Sequence, residues 1–440
     1  MAESVRYGAL EIMVIDRFVR QWDDRGSKAT LHGAFFDPRL DDFLFGQGWR
    51  CLGSVGHGGN HEDITGRRAT LLVRGANASD QMIKPPVRFD RIWRDEGSGA
   101  KVNGAVWRPV PPTGYVALGD VFGPWNSWDP PAPVYYACIR KELAGRTYVR
   151  QGEIGDQIWN DRGSGSKADV SIWKVRANRY PADSTERLIL GADLLRAHGS
   201  YSRPTDAVYV LDLPAAVTKR NPPAPPVLTS HAAPGPTEPV IDRSVVVPCT
   251  VIADPGKSLA WQVANSPFYT LERRVSYYPQ KHFDNSQGSV EESAPRTVTT
   301  GVSRTDSEEF SKRTGITVTA SAGIELKGFS ASVETSVSTE LGYTSRHDIT
   351  QFREVTDTWP LTIPPRKSAA IWSPRHEIIA LRKNGDAVGG LGGLAFDIDS
   401  RIKTEYPAPA GEQSRSLAEA IVAGDPEPFG KPESNVPEGF

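Results

Sequence analysis

Between residues 315 and 343 the chain reads GITVTASAGIELKGFSASVETSVSTELGY. The even positions Ile316, Val318, Ala320, Ala322, Ile324 and Leu326 are apolar, and Thr317, Thr319, Ser321, Gly323 and Glu325 alternate with them. Strict period two is the pattern of a strand with two unlike faces. After Lys327 and Gly328 the parity inverts. Phe329, Ala331, Val333, Thr335, Val337, Thr339 and Leu341 now carry the apolar or neutral side chains, and Ser330, Ser332, Glu334, Ser336, Ser338 and Glu340 alternate with them. The flip predicts a β-hairpin turning at Lys327-Gly328, with Leu326 facing Phe329, Ala322 facing Val333 and Val318 facing Val337.

Two strands of 11 and 13 residues reach the ~9–11 that cross a bilayer in a tilted barrel. Glu325, Lys327, Glu334 and Glu340 all avoid the apolar face, where lipid makes a charge cost about 2–4 kcal/mol at the midplane. The hairpin is therefore a candidate membrane-inserting element. Its lipid side would be Ile316, Val318, Ala320, Ala322, Ile324, Leu326, Phe329, Ala331, Val333, Val337 and Leu341, with Lys327 and Gly328 at the tip. Thr317, Thr319, Ser321, Glu325, Ser330, Ser332, Glu334, Ser336 and Ser338 would line a pore. One hairpin cannot close a barrel, so several chains would each give one. The ordinary alternative is a half-buried hairpin on a soluble core. Residues 296–313 and 344–358, rich in Ser, Thr and charge, read as extended strands on either side.

The first half repeats itself three times. Trp22-Asp23-Asp24-Arg25-Gly26-Ser27 recurs as Trp93-Arg94-Asp95-Glu96-Gly97-Ser98 and as Trp159-Asn160-Asp161-Arg162-Gly163-Ser164. An aromatic follows each Trp by 14 residues: Phe36, Trp107 and Trp173. GWRCLGSV, GYVALGDV and RLILGADL come next, and a strand-like run closes each copy. Short β-rich repeats that cannot hide their own apolar faces must pack on one another. The expected architecture is all-β: a pseudo-threefold, β-prism-like N-terminal domain, with most of the eight Trp of this half forming its core. The repeated Asp24, Asp95 and Asp161 read first as turn residues bonding their own backbone. A polar site for a glycan or Ca²⁺ is the second reading. Trp125 and Trp128, in a Pro-flanked loop of one repeat only, are candidate receptor-binding aromatics.

The W-x-D-x-G-S-G, W-x-P and GY-x-x-LGDV string, densest in residues 89–121, resembles the vacuolar protein sorting-associated protein 62 family. That family has no assigned chemistry. The first repeat departs from its pattern, with Phe36 for Trp and no second Gly after Ser27.

Seven Pro fall between residues 219 and 240, and the composition changes afterwards. This divides the chain into a recognition domain (1–218), a Pro-rich linker (219–244), a second β domain (245–404) and a loose tail (405–440). A Ser/Thr-rich amphipathic hairpin between long strands resembles the aerolysin-type β-pore-forming toxins, including the epsilon-toxin and mosquitocidal branch. The resemblance covers roughly residues 245–405. It implies an elongated C-terminal β domain, oligomerisation on a target membrane through a glycan or protein receptor, and insertion of 316–341. It also implies a terminal peptide removed by cleavage near Arg401, Lys403 or Arg415. An insecticidal role belongs to that implication.

Composition narrows the rest. Gly 41 and Pro 35 disfavour a helical protein, and a net charge of −2 gives no global field for nucleic acid. No apolar run approaches the length of a membrane helix, and Glu3 and Glu11 spoil a signal peptide. The expectation is a protein soluble when made, released without a conventional signal, and acting at a target membrane. Cys51, Cys138 and Cys249 are too sparse for a disulfide framework or a zinc motif, and neither HExxH, GxSxG, a Walker loop nor GxGxxG occurs. We therefore expect no enzyme, no cofactor and no metal. The rival function is a lectin-like or trafficking adaptor protein whose C-terminal domain is a static stalk.

Overall fold

A computed structural model describes residues 3–177, 187–327, 334–390 and 392–408. The architecture is all-β, 44% strand against 10% helix.

Each N-terminal repeat builds two small antiparallel sheets in the same chain order. The sheets carrying the Trp motif are Phe18–Asp23 with Gly33–Pro38 and Val55–Gly58, then Arg88–Arg94 with Ala105–Val110 and Val121–Phe122, then Glu153–Asn160 with Ser171–Arg176 and Leu195–His198. In all three the ladder slips by one residue immediately before the Trp, at Gln21, Ile92 and Ile158. Such a bulge bends the strand and re-aims the next side chain. Here it sends three indoles to a common centre. Trp22, Trp93 and Trp159 meet edge to face, with ring centroids 5.2–5.9 Å apart. Phe35, Val106 and Ile172, each 13 residues after its Trp, complete the cluster.

The repeats are stitched together by a closed ring of hydrogen bonds. Trp22 Nε1 donates to the Val102 carbonyl (3.2 Å), Trp93 to Ala168 (2.8 Å) and Trp159 to Leu31 (2.9 Å), each acceptor nine residues past the next Trp. In the other direction Lys101, Thr30 and Lys167 N–H groups reach the carbonyls of Arg25, Arg162 and Glu96. The corners come within van der Waals reach because Gly26, Gly97 and Gly163 hold φ of +86 to +93°. A Cβ on Gly26 would lie 2.9 Å from Lys101 Cγ. The threefold expectation is met.

In the second half a six-stranded sheet is dominated by two long antiparallel strands, Phe268–Asp284 and Ser368–Leu381. At ~3.4 Å per residue the first spans roughly 55 Å, which makes the domain elongated. Val240–Pro248 and then Ala216–Lys219 extend one edge, while Leu394–Asp397 and Ile402–Tyr406 share the other side of Ser368–Leu381.

Both ends of the expected linker thus belong to this sheet. The stretch between is laid along it: Leu228 is buried against Tyr277 and Trp372, and Thr237 exchanges hydrogen bonds with the Tyr277 backbone. Glu405 and Tyr406, expected in a loose tail, belong instead to the paired strand Ile402–Tyr406, and residues 409–440 lie outside the described residues. Arg401 is ion-paired to Asp357 and Lys403 to Glu405. Arg415 lies outside the described residues. One apolar core runs through both halves, from Tyr7, Leu10 and Leu188 to Val245, Ile316 and Leu341. Tyr7 Oη donates to the Val246 carbonyl across the junction at 3.0 Å. The three cysteines are buried and free.

Candidate functional site

The two-faced segment is folded back on itself. Ile316–Thr319 and Gly323–Lys327 pair antiparallel, Ile316 with Leu326 and Val318 with Ile324, around a turn at Ala320-Ser321-Ala322. A third short strand, Glu334–Ser336, then pairs Leu326 with Thr335 and Glu325 with Ser336. This corrects the expected register, which joined Leu326 to Phe329 and kept 316–326 as one strand. Gly328, Phe329, Ser330, Ala331, Ser332 and Val333 lie outside the described residues.

Faces are preserved over 316–326 although register is not, but they are lost at 337–341, where 338–342 form a turn instead of the expected strand and Ser338, Thr339 and Glu340 are buried beside Val337 and Leu341. Ile316, Val318, Ile324, Leu326, Val337 and Leu341 are all buried in the main core. Ala320 and Ala322 are half-buried in the turn, Thr317, Thr319 and Glu325 lie on the more open side, and Ser321 is exposed. Ser338 departs from its expected place on a wet face. It is fully buried, donating its N–H toward Ser336 Oγ and accepting from the Ile324 N–H at 2.8 Å.

The flanks are corrected too. Only Arg296–Thr300 and Val355–Trp359 are strands, paired with each other. Arg304–Thr314 is an α-helix and Arg346–Thr350 a short one. Ser303 caps the first by accepting from the Asp306 N–H, Arg304 pairs with Glu308 one turn on, Lys312 and Arg313 end the last turn, and Gly315 closes it at φ +71°. Its inner face is Ser307, Phe310 and Thr314. A single large apolar residue leaves almost no 3.6-residue periodicity to read. This helix lies on the two-faced segment: Ser307 Oγ donates to the Val318 carbonyl at 2.7 Å, and Ser311 Oγ sits 3.0 Å from Thr317 Oγ1.

Besides its buried apolar side chains, the segment is held by small hydroxyls and glycine turns. Gly323 has φ +78°, and a Cβ there would lie 2.2 Å from Ser338 Oγ. At its C-terminal end Tyr343 packs under Arg273, which is paired to the buried Asp242.

In the N-terminal half, Asp24, Asp95 and Asp161 are buried. Each accepts from a backbone N–H nine residues on, at Gly33 (3.0 Å), Gly104 (3.1 Å) and Val170 (2.9 Å), and its own N–H returns the bond. They close the repeat hairpins by bonding the far strand, where the sequence suggested a bond to their own local backbone. Trp128 also works inward, donating to Asp95 Oδ1 at 2.6 Å with Arg94 over its ring. Trp125 stays exposed.

Residues 241–363 match the insecticidal crystal toxin P42 family. Residues 2–193 match the vacuolar protein sorting-associated protein 62 family. The two matches divide the chain where its composition changes, and the toxin match contains the whole two-faced segment. No curated protein matches the chain. Among solved structures it is similar to GNIP1Aa from Chromobacterium piscinae, 25% identical over 44% of this chain and 34% of that one, TM-score 0.35. It is also similar to Cry35Ab1, 11% identical over 92% of this chain and 91% of that one, TM-score 0.32. The chain spans about a third of the length of GNIP1Aa.

Proposed function

We propose that this protein is a non-enzymatic β-pore-forming toxin. The threefold domain recognises a target surface, chains assemble there, and the 316–341 segment leaves the core to build a shared barrel. The supporting observation is the segment itself: within the toxin-family match, apolar residues alternate with small polar ones in the sequence over two dozen positions, and Ile316, Val318, Ile324, Leu326, Val337 and Leu341 are buried. Insertion exchanges that burial for lipid contact and satisfies every strand edge by pairing between chains. The segment's strands are short in the soluble fold, and hydroxyl hydrogen bonds hold them under the Arg304–Thr314 helix. An insect target is proposed from the matched family's name.

Dye-loaded liposomes and target-gut membrane vesicles test this, with the full chain added before and after trypsin. Leakage together with ring-shaped oligomers in electron micrographs is the expected result. Tight vesicle binding with neither leakage nor oligomers would instead make the protein a binding module with a static stalk.

A further inference from the structure

The three corner aspartates are alike in their backbone bonds and unlike in what fills the space beyond them. At Asp95 the neighbours are the indole N–H groups of Trp22 (3.1 Å to Oδ2) and Trp128 (2.6 Å to Oδ1). At Asp161 they are Tyr201, whose hydroxyl bonds Asp169 at 2.9 Å, and Asp169 itself. Indoles carry no lone pair for a cation, and a phenol offers a weak one. At Asp24 both neighbours are imidazoles. His61 Nε2 is in hydrogen-bond contact with Oδ1, and His32 Nδ1 lies 3.8 Å from Oδ2. The two rings are 5.0 Å apart, centroid to centroid.

We propose that Asp24, His32 and His61 form a binding site for a divalent first-row transition ion, Zn²⁺ by preference. The three ligand atoms all lie within 4.8 Å of one another, and among the described residues no other group of His, Cys, Asp and Glu converges in this way. Two imidazole nitrogens and one carboxylate oxygen are a borderline donor set, suited to Zn²⁺ and poorly suited to Ca²⁺ or Mg²⁺. Tetrahedral Zn–N and Zn–O bonds of about 2.0–2.1 Å set ligand atoms roughly 3.3 Å apart, so the widest pair here must close and the hydrogen-bonded His61 Nε2 and Asp24 Oδ1 must part to admit the ion. His32, whose side chain is 61% exposed, has the freedom to swing inward.

The base of the site is already fixed. Asp24 is buried and held by the Gly33 N–H, and the His61 carbonyl accepts from Arg20 at 2.6 Å. The exposed side leaves a coordination position for water or an incoming ligand. The ion would also tie the 59–69 loop, which carries His61, to the first repeat's corner. HExxH-type spacing does not reveal such a site, because His32 and His61 are 29 positions apart in the chain and meet only through the repeat fold.

The test titrates the full chain, stripped with EDTA, with ZnCl₂ by calorimetry, alongside CaCl₂ and MgCl₂. One Zn²⁺ per chain at micromolar affinity or tighter is expected, with a rise in Tm that Ca²⁺ and Mg²⁺ do not reproduce. His32→Asn and His61→Gln each remove a direct ligand, so each should weaken Zn²⁺ by more than the roughly 10- to 100-fold that losing a second-shell partner costs, and the double variant should lose the one-to-one step. The Asn amide occupies the Nδ1 position at 32 and the Gln amide reaches the Nε2 position at 61, keeping a donor for Asp24, so the metal-free variants should unfold near the wild-type midpoint. Asp24 itself is left intact because it closes the hairpin. The proposal is overturned if wild-type protein takes up no saturating equivalent in the micromolar range, or if the double variant binds as tightly as wild type.

Discussion

Tyr343 Oη lies 2.9 Å from His376 Nδ1, joining the end of the two-faced segment to the long Ser368–Leu381 strand. The imidazole packs beside the rings of Tyr343 and Phe396, with Arg273 nearby. Desolvation, reinforced by the Arg273 charge, holds its pKa down to about 3. An unfolded His titrates near ~6.5, so between these values the unfolded chain binds the extra proton. This group's contribution is therefore complete above pH ~6.5 and is lost as pH falls toward 3, by at most about 1.4 kcal/mol per unit. Urea midpoints should drop between pH 7 and pH 4.5, and His376→Gln, which preserves a partner for Tyr343, should flatten that drop. Equal slopes in the two proteins would remove His376 from the account of acid sensitivity.

The indole trio gives a prediction with an internal control. Trp93→Ala opens a cavity on the threefold axis and deprives the Ala168 carbonyl of its donor. The expected loss is about 3–5 kcal/mol in a denaturant titration. Trp125→Ala, at an exposed loop position, should change stability by less than ~0.5 kcal/mol while weakening vesicle binding if that loop touches the target. Similar stability losses in the two variants would contradict the central packing of Trp93.

The repeat half was legible because its signal is redundant. Three copies of W-x-D-x-G-S place three identical bulges, three indoles and three closing carboxylates, and each copy checks the others. The two-faced segment was legible only in its faces, and only over 316–326, since Ser338 and Glu340 are buried in a turn where a wet strand face was expected. Period two records which side a residue is on, and folding the chain about Ser321 leaves Ile316, Val318, Ile324 and Leu326 on the same side as one straight strand would. The pairing of Leu326 with Thr335 rather than Phe329 moves the register by six residues, an even shift, so it leaves the parity of the paired residues 334–336 unchanged. Parity cannot separate these arrangements. The Arg304–Thr314 helix was hidden for a different reason: its evidence is the Ser303 cap and Gly315 stop, at the ends, with one Phe between them. The meeting of His32 and His61 at Asp24 depends on repeat geometry, to which a linear motif is blind.

Gly323 should prove sensitive to substitution. Gly323→Ala must place a Cβ on a φ of +78° and against Ser338 Oγ. A cost of roughly 1–3 kcal/mol is expected, concentrated in this segment. Limited proteolysis should then cut within 316–341 at protease levels that leave the wild-type segment whole. A variant as resistant as wild type would show that the turn at 320–322 is not what holds the segment closed.

The turn also supplies the sharpest test of insertion. In a barrel the 316–326 stretch must run straight to cross the bilayer, whereas in the soluble fold Thr317 faces Glu325 across a tight hairpin. Opposed residues of an antiparallel pair hold their Cβ atoms ~4.5–5.5 Å apart, near enough for a disulfide with little adjustment. Thr317→Cys with Glu325→Cys should therefore oxidise readily. Both sites lie on the more open face, so the core is left alone. The oxidised protein should bind vesicles like wild type but release no dye, and adding reductant should restore leakage. An oxidised variant that leaks at the wild-type rate would mean that residues 316–326 never straighten, and the barrel would have to be built from another part of the chain.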